Sequence, residues 1–428
     1  MKTTIERVHG RRVWDSRGRP TVEVEVATAS GTIGRAIAPA GASTGSAEAV
    51  DLRDGGDAFA GYDVRKAVGS VENEIAAALA GMDARDQTSI DRRLIDLDGT
   101  ANKGRLGGNA LIATSMAIAH AAAAAEGVPL WRYLAGDDEP GLLPLPEIQI
   151  FGGGAHAGRR VDLQDFMVIA TGAGDFATAL DWTAEVYIAA GKLMAEAGKL
   201  QGVADEGGFW PAFDGNEDAL DMLVRAIEKA GFSPGEDVSI SLDIAATDFG
   251  RDGRYRLARE DRELSSEELS EMLLDWLGRY PIVAIEDPLG EDDDVGMTAF
   301  TARAGNQVEV VGDDFVTTNA ARITEAASIG ACNTALIKPN QIGTLTEARA
   351  ALDAARAAGW ESIVSARSGE TEDVTIVHLA IGWGIKQLKV GSFTRSERMV
   401  KWNEGLRLAD QLSSGGRLPP RSDFPWGR

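Results

Sequence analysis

The sequence predicts an α/β fold: a β/α barrel preceded by a smaller α+β unit. Three observations carry that prediction. First, apolar strand-like runs alternate with helix-like blocks of 12–18 residues through the second part of the chain: FMVIA (166–170), SISLDIA (239–245), PIVAIED (281–287), VEVVGDD (308–314), TALIKPN (334–340), SIVSARS (362–368) and QLKVGS (387–392). Such alternation signals parallel strands with crossover helices, and the number of runs favours a closed barrel over an open sheet. Second, five of the runs end on or near a carboxylate or a lysine: Asp243, Glu286, Asp313, Lys338 and Lys389. In a barrel those ends share one rim, the rim where barrel active sites lie. Third, the N-terminal part has a different texture, with β alternation followed by one long alanine-rich stretch.

Taken in order, residues 3–36 alternate as strands do, with TVEVEVATASG and TIGRAIA forming a hairpin around Ser30-Gly31. AGASTG (40–45) is small and glycine-rich, as a mobile loop would be. NALIATSMAIAHAAAAAEG (109–127) has strong helix propensity and closes on Gly127. The Pro/Gly-bearing segment GDDEPGLLPLPE (136–147) marks the boundary, giving domains 1–138 and 139–428. A length of 428 residues agrees with two domains. The tail SSGGRLPPRSDFPWGR (413–428) reads as extended or mobile.

No run of some 18 apolar residues is apparent, and the start MKTTIERVHGRRVWDSRG lacks the apolar region of a signal peptide. A cytoplasmic protein with no membrane partner is expected. The single cysteine, Cys332, excludes an intrachain disulfide and a thiolate metal cluster, and its apolar context reads as core. The net charge of −23 argues against nucleic acid as a partner. It does not exclude a small anionic substrate, because the local field at a site matters more than the total.

Three hard oxygen ligands, Asp243, Glu286 and Asp313, suit Mg²⁺. A lysine beside such a metal can act as a base on an acidified carbon. The constellation therefore describes an enzyme that makes and stabilises an enediolate. One acidic residue at a strand end is usually a cap or a surface group; three at barrel spacing, followed by Lys338, are not so easily explained.

From near its N-terminus to about residue 410 the chain resembles the enolase family. The segments that carry the resemblance are DSRGRPTVEVEV (15–26), GASTG (41–45), LDGTANKGRLGGNA (97–110), GGAHAG (153–158), DEGGF (205–209), IEDP (285–288), GDD (312–314), KPNQIGT (338–344), RSGET (367–371) and RSERMVKWN (395–403). The resemblance implies an N-terminal α+β cap domain and a partly antiparallel barrel. It implies a first Mg²⁺ on Asp243, Glu286 and Asp313, and a second shared by the substrate's phosphoryl group and the loop of Ser43. Lys338 would take the C2 proton, with surrounding cations keeping its amine neutral. Glu206 would protonate the leaving C3 hydroxyl, helped by Asp165 in the segment LQDFM, with His156 nearby on a flexible loop. Lys389 would grip the substrate carboxylate, and Arg367 and Ser368 the phosphoryl oxygens. Gln164 and Ala366 would complete the substrate pocket. A homo-oligomer, dimer or octamer, is implied as well, and Arg11 and Arg17 could form ion pairs between subunits. His9, His120, His378 and Trp402 read as structural.

The chain departs from the family pattern at a few positions. The usual Gln-Glu-Phe-Met is Gln164-Asp165-Phe166-Met167. Ala366 stands where a histidine precedes the phosphoryl-binding arginine, and the Asn-Lys pair after the glycine-histidine loop is Arg159-Arg160. Ala40, Arg19, Gly152 and Ala204 also differ from the pattern. More room and more positive charge beside the phosphorus lead to the expectation of a specialised paralogue. Its substrate would be a 2-phosphoglycerate-like, phosphorylated or phosphonylated anion with an altered head group, as for carboxyphosphonoenolpyruvate synthase. The alternatives are an ordinary glycolytic enolase that tolerates the changes, and a catalytically weak binding or structural paralogue.

Overall fold

The structure, a computed structural model, describes residues 2–138 and 140–428. Three antiparallel strands open the chain: β1 (Ile5–Trp14), β2 (Pro20–Thr28) and β3 (Ile33–Ile37). The turn between β1 and β2 is built by Asp15, whose Oδ1 accepts the amides of Arg17 (2.9 Å) and Arg19 (2.8 Å). The hairpin around Ser30-Gly31 is as expected, with Gly31 at φ 82°. The helix Gly108–Glu126 lies across β2 and β3 and ends on Gly127 in the left-handed region. Gly34 lets it approach: a Cβ there would stand 2.1 Å from the Ala121 amide nitrogen. This helix is long and apolar enough to cross a membrane, contrary to the reading that no such run occurs. Most of it is buried as the core helix of the cap, which accounts for its composition.

The barrel begins with β4 (Leu145–Gly152), β5 (Asp165–Ile169) and β6 (Ser239–Asp243). A small antiparallel sheet follows, β7 (Gly250–Arg251), β8 (Arg254–Leu257) and β9 (Arg262–Ser265). The barrel resumes with β10 (Ile282–Glu286), β11 (Glu309–Gly312), β12 (Thr334–Ile337), β13 (Glu361–Ser365) and β14 (Gln387–Ser392). It closes in the order β10-β11-β12-β13-β14-β4-β5-β6. All of its neighbouring pairs are parallel except β4–β5 and β5–β6. The connection of residues 153–164 has no long crossover helix, so β5 returns beside β4 in the opposite sense. Two helices, Phe176–Glu196 and Asn216–Lys229, then bring the chain back to the end it left, and β6 runs against β5. Alternation alone predicts parallel strands; the antiparallel member is what the resemblance implied.

The tail is neither loose nor extended away. Phe424 is fully buried, Trp426 stacks on it at 4.8 Å, and Trp426 Nε1 donates to Glu309 Oε2 at the opposite end of the barrel from the rim (3.2 Å). Its aromatic side chains fill apolar surface, which holds a glycine- and proline-rich segment in place. Arg17 and Arg11 both find partners within the chain. Arg17 is buried and donates to the carbonyls of Ala40 (2.9 Å) and Gly41 (3.2 Å), while Arg11 pairs with Glu23 and Glu25 on the neighbouring strand. Arg17 Nε, 3.6 Å from Asp15 Oδ2, is buried without a hydrogen-bond partner. The boundary placed between 138 and 139 touches Glu139, which lies outside the described residues.

Candidate active site

Strand direction explains how the site assembles. Asp243 and Glu286 are the last residues of β6 and β10, and Asp313 and Lys338 follow β11 and β12 directly. Because β5 runs the other way, its first residue, Asp165, reaches the same rim and pairs in register with Asp243. All are buried.

On one side the carboxylates enclose the two lysines. Lys389 Nζ lies 2.8 Å from Asp243 Oδ2, 2.7 Å from Glu286 Oε2 and 3.6 Å from Asp165 Oδ2. Lys338 Nζ donates to Asp313 Oδ2, and the Gln341 amide donates to Asp313 Oδ1 (2.8 Å). Burial alone would push the Lys338 ammonium down, but Asp313 and Glu286 outweigh it and hold the group above its usual range. The contact of this amine is a carboxylate, Asp313, while Arg367 and Lys389 push its value the other way. Lys389 is held well above its usual range for the same reason, burial being outweighed by Asp243 and Glu286. Glu286 is also held well above its usual range, by burial and by Asp243.

The residues fit a hard divalent cation. Glu286 Oε1 is buried with no hydrogen-bond partner, as are Gln164 Oε1 and Asp165 Oδ2. Carboxylate and amide oxygens of this kind are the donors Mg²⁺ takes, and orphaned buried oxygens are costly without a cation or a donor. Asp287, Asp313 and Asp314 bring carboxylate oxygens within 4.8 Å of one another. Asp287 also accepts the amides of Asp313 (2.9 Å) and Asp314 (2.7 Å), which fixes the end of β11. Gln164 Nε2 donates to Asp243 Oδ2 (3.0 Å).

Facing the lysines is a second cluster. His156 Nδ1 lies 3.1 Å from Asp165 Oδ1, and His156 Nε2 lies 3.1 Å from Ser368 Oγ and 3.7 Å from Glu206 Oε1. Burial pushes the imidazolium down, yet Glu206 and Asp165 together push it up to about 9. Burial would raise Asp165; His156 and Lys389 overcome it and hold the carboxyl below its usual range. Glu206 sits in the loop between the two helices that follow β5. Gly207, at φ 96°, lets the loop turn, since a Cβ there would stand 2.8 Å from Thr394.

Arg367 and Ser368 meet the cap. Arg367 reaches Glu48 through Nη1 (3.0 Å) and Nη2 (3.1 Å), and Nη2 also donates to the Ser43 carbonyl (3.0 Å). Ser368 Oγ accepts the Ala42 amide (3.2 Å). Ala40 and Gly369 exchange both backbone hydrogen bonds, at 2.9 and 2.8 Å, so the small loop 40–45 is pinned over the rim.

Every sequence-selected site residue thus lies at this rim, but two departures from the family pattern do not act as expected. Ala366 is buried and its methyl belongs to the apolar core, so it opens no larger polar slot. Arg159 is exposed and turned to Asp248, donating to its carbonyl oxygen (2.5 Å). Sequence reasoning missed Gln149, Glu48, Gln341 and Asp287. Glu48 and Gln341 lie in or next to quoted motifs; Gln149 has no local signal, because its partners lie on other segments.

Two family descriptions match the chain: "Enolase, N-terminal domain" over residues 5–134 and "Enolase, C-terminal TIM barrel domain" over residues 140–422. Among curated proteins, "Enolase 1" of Desulfitobacterium hafniense (strain Y51) is 48% identical over 423 residues, which is 98% of this chain and 97% of that protein. Likeness of that extent, to a protein of that name, overturns the expectation of a divergent paralogue of the carboxyphosphonoenolpyruvate synthase type.

Proposed function

The chain belongs to the enolase family, a Mg²⁺-dependent carbon–oxygen lyase, and from that premise we propose that it converts 2-phosphoglycerate to phosphoenolpyruvate. One observation supports this most: a lysine cluster and an acid cluster face each other across a single buried rim. Lys338 takes the proton from C2, and its electron pair is delocalised into the substrate carboxylate. The C3–O bond then breaks as Glu206 delivers a proton to the leaving hydroxyl, and water departs.

Lys389 holds the substrate carboxylate. Asp165 and His156 orient the acid side, and Gln164 holds Asp243. Arg367 and Ser368 receive the phosphoryl oxygens, Arg367 with the donors that Glu48 leaves free. Asp243, Glu286 and Asp313 would hold one Mg²⁺ and Ser43 would take part in holding a second; the bound metal would supply positive charge that offsets the carboxylates, releases the two lysines and polarises the substrate. Ala366 belongs to the apolar core.

The same reading carries a cytoplasmic location and a homo-oligomer, dimer or octamer; sedimentation of the purified chain tests the latter. The test of the reaction is formation of the enol product from 2-phosphoglycerate with Mg²⁺, followed by ultraviolet absorbance, with and without a chelator. Chelator-sensitive turnover supports the proposal. Its absence in the presence of Mg²⁺ refutes it.

A further inference from the structure

Gln149, on β4, is completely buried directly behind the acid cluster. Its Nε2 donates to Asp165 Oδ1, and its Oε1 accepts the amide of Gly208 (2.8 Å), two residues beyond Glu206. The two bonds fix which way the amide faces, since a carboxylate needs a donor and a backbone N–H needs an acceptor. Gly208 leaves room for it: a Cβ at 208 would come within 2.5 Å of Gln149 Oε1. Asp165 Oδ1 also meets His156 Nδ1, and His156 Nε2 faces Glu206. The path Gln149–Asp165–His156–Glu206–Gly207–Gly208 therefore returns to Gln149 as a closed ring.

We infer that Gln149 is a positioning residue for protonation of the leaving group, tying the Asp165 carboxylate to the loop that presents Glu206. The inference rests on the reaction proposed above. It also explains how Asp165, one methylene shorter than the glutamate of the family pattern, is served from behind: the long amide of Gln149 spans the distance to it. A carboxylate at 149 would set like charges together, and a leucine would take one of the Asp165 carboxylate's partners away, leaving it His156 and Lys389, and would leave the Gly208 amide without its acceptor.

Gln149 acts on the second half of the reaction, so its loss should spare the first. The test compares the native chain with Gln149→Leu, Gln149→Asn, Asp165→Glu and the double variant Gln149→Asn/Asp165→Glu, which moves one methylene across the contact. Two rates are measured on 2-phosphoglycerate with Mg²⁺: phosphoenolpyruvate formation, and exchange of the C2 proton with deuterium from D₂O. Gln149→Leu is expected to lower kcat by about 10- to 100-fold with KM within about threefold, as for a misplaced group acting in one step. C2 exchange persists, and the double variant regains most of the rate lost by either single change.

Unchanged kcat in Gln149→Leu overturns the inference while leaving the reaction intact. Exchange and dehydration falling together, with no recovery in the double variant, overturns it too, because that is the mark of a packing role. A native chain that neither exchanges nor dehydrates 2-phosphoglycerate overturns the reaction and the inference with it.

Discussion

His156 should titrate far above the ordinary histidine value, and the consequence for stability can be worked from the site. Its side chain is almost fully buried between Asp165 Oδ1 (3.1 Å) and Glu206 Oε1 (3.7 Å), and its value is pushed up to about 9 from an ordinary 6.5. A histidine raised in this way stabilises the folded state fully below its unfolded value. That contribution is lost as pH rises through the folded value, so the window is about 6.5 to 9. A gap of that size corresponds to about 3 kcal/mol. The chain has four histidines, so the imidazole carbon-bound protons can be followed individually by NMR as pH is raised. One resonance, absent in His156→Gln, is expected to titrate near pH 9 and to move down in Asp165→Asn. Denaturant unfolding at pH 6.5 and 9.5 should show the native chain losing about 3 kcal/mol more than His156→Gln. Titration of His156 at or below about 6.5, or parallel losses in the two proteins, would refute the charge assignment.

Further expectations follow from other contacts. Lys338→Gln should lower dehydration by about 10³-fold and abolish C2 exchange, while circular dichroism stays native. Glu48→Gln removes the anionic partner of the buried Arg367, at 3.0 and 3.1 Å, and should raise KM for the phosphorylated substrate by about tenfold, read from steady-state kinetics. Phe424→Ala deletes a fully buried ring from the tail and should cost about 3–5 kcal/mol, seen as a lower denaturant midpoint. Cys332 is buried and its thiol is pushed well up by burial, so it should react with a thiol reagent only on unfolding, monitored by absorbance.

The rim was legible because polar residues that end apolar strands stand out. Asp243, Glu286, Asp313, Lys338 and Lys389 each break a run of aliphatic side chains, and barrel geometry brings such ends together. β4 was not legible as a strand. LPEIQIFG carries Pro146, Glu147 and Gln149, which normally count against a buried strand, yet in the barrel the latter two bond Ser241 and Asp165. The direction of β5 depends on two helices in place of one between it and β6, and no residue of β5 itself records that. The tail's order depends on what Phe424 and Trp426 meet, a long-range contact that composition hides. The charge on Lys338 likewise depends on which neighbour it touches, Asp313 or a cation, and spacing along the chain does not state this. The departures at Ala366 and Arg159 misled for a related reason. A smaller or more basic residue near a motif alters a pocket only if its side chain faces it, and here one joins the core and the other turns to Asp248.

The most direct test of the account is a comparison of kcat/KM for 2-phosphoglycerate and for an analogue with a carboxylated phosphorus head group, in the native chain and in Ala366→His/Asp165→Glu. The account predicts that the native chain prefers 2-phosphoglycerate and that the double variant brings no large gain. Preference for the modified head group, or 2-phosphoglycerate turnover appearing only in the double variant, would contradict it.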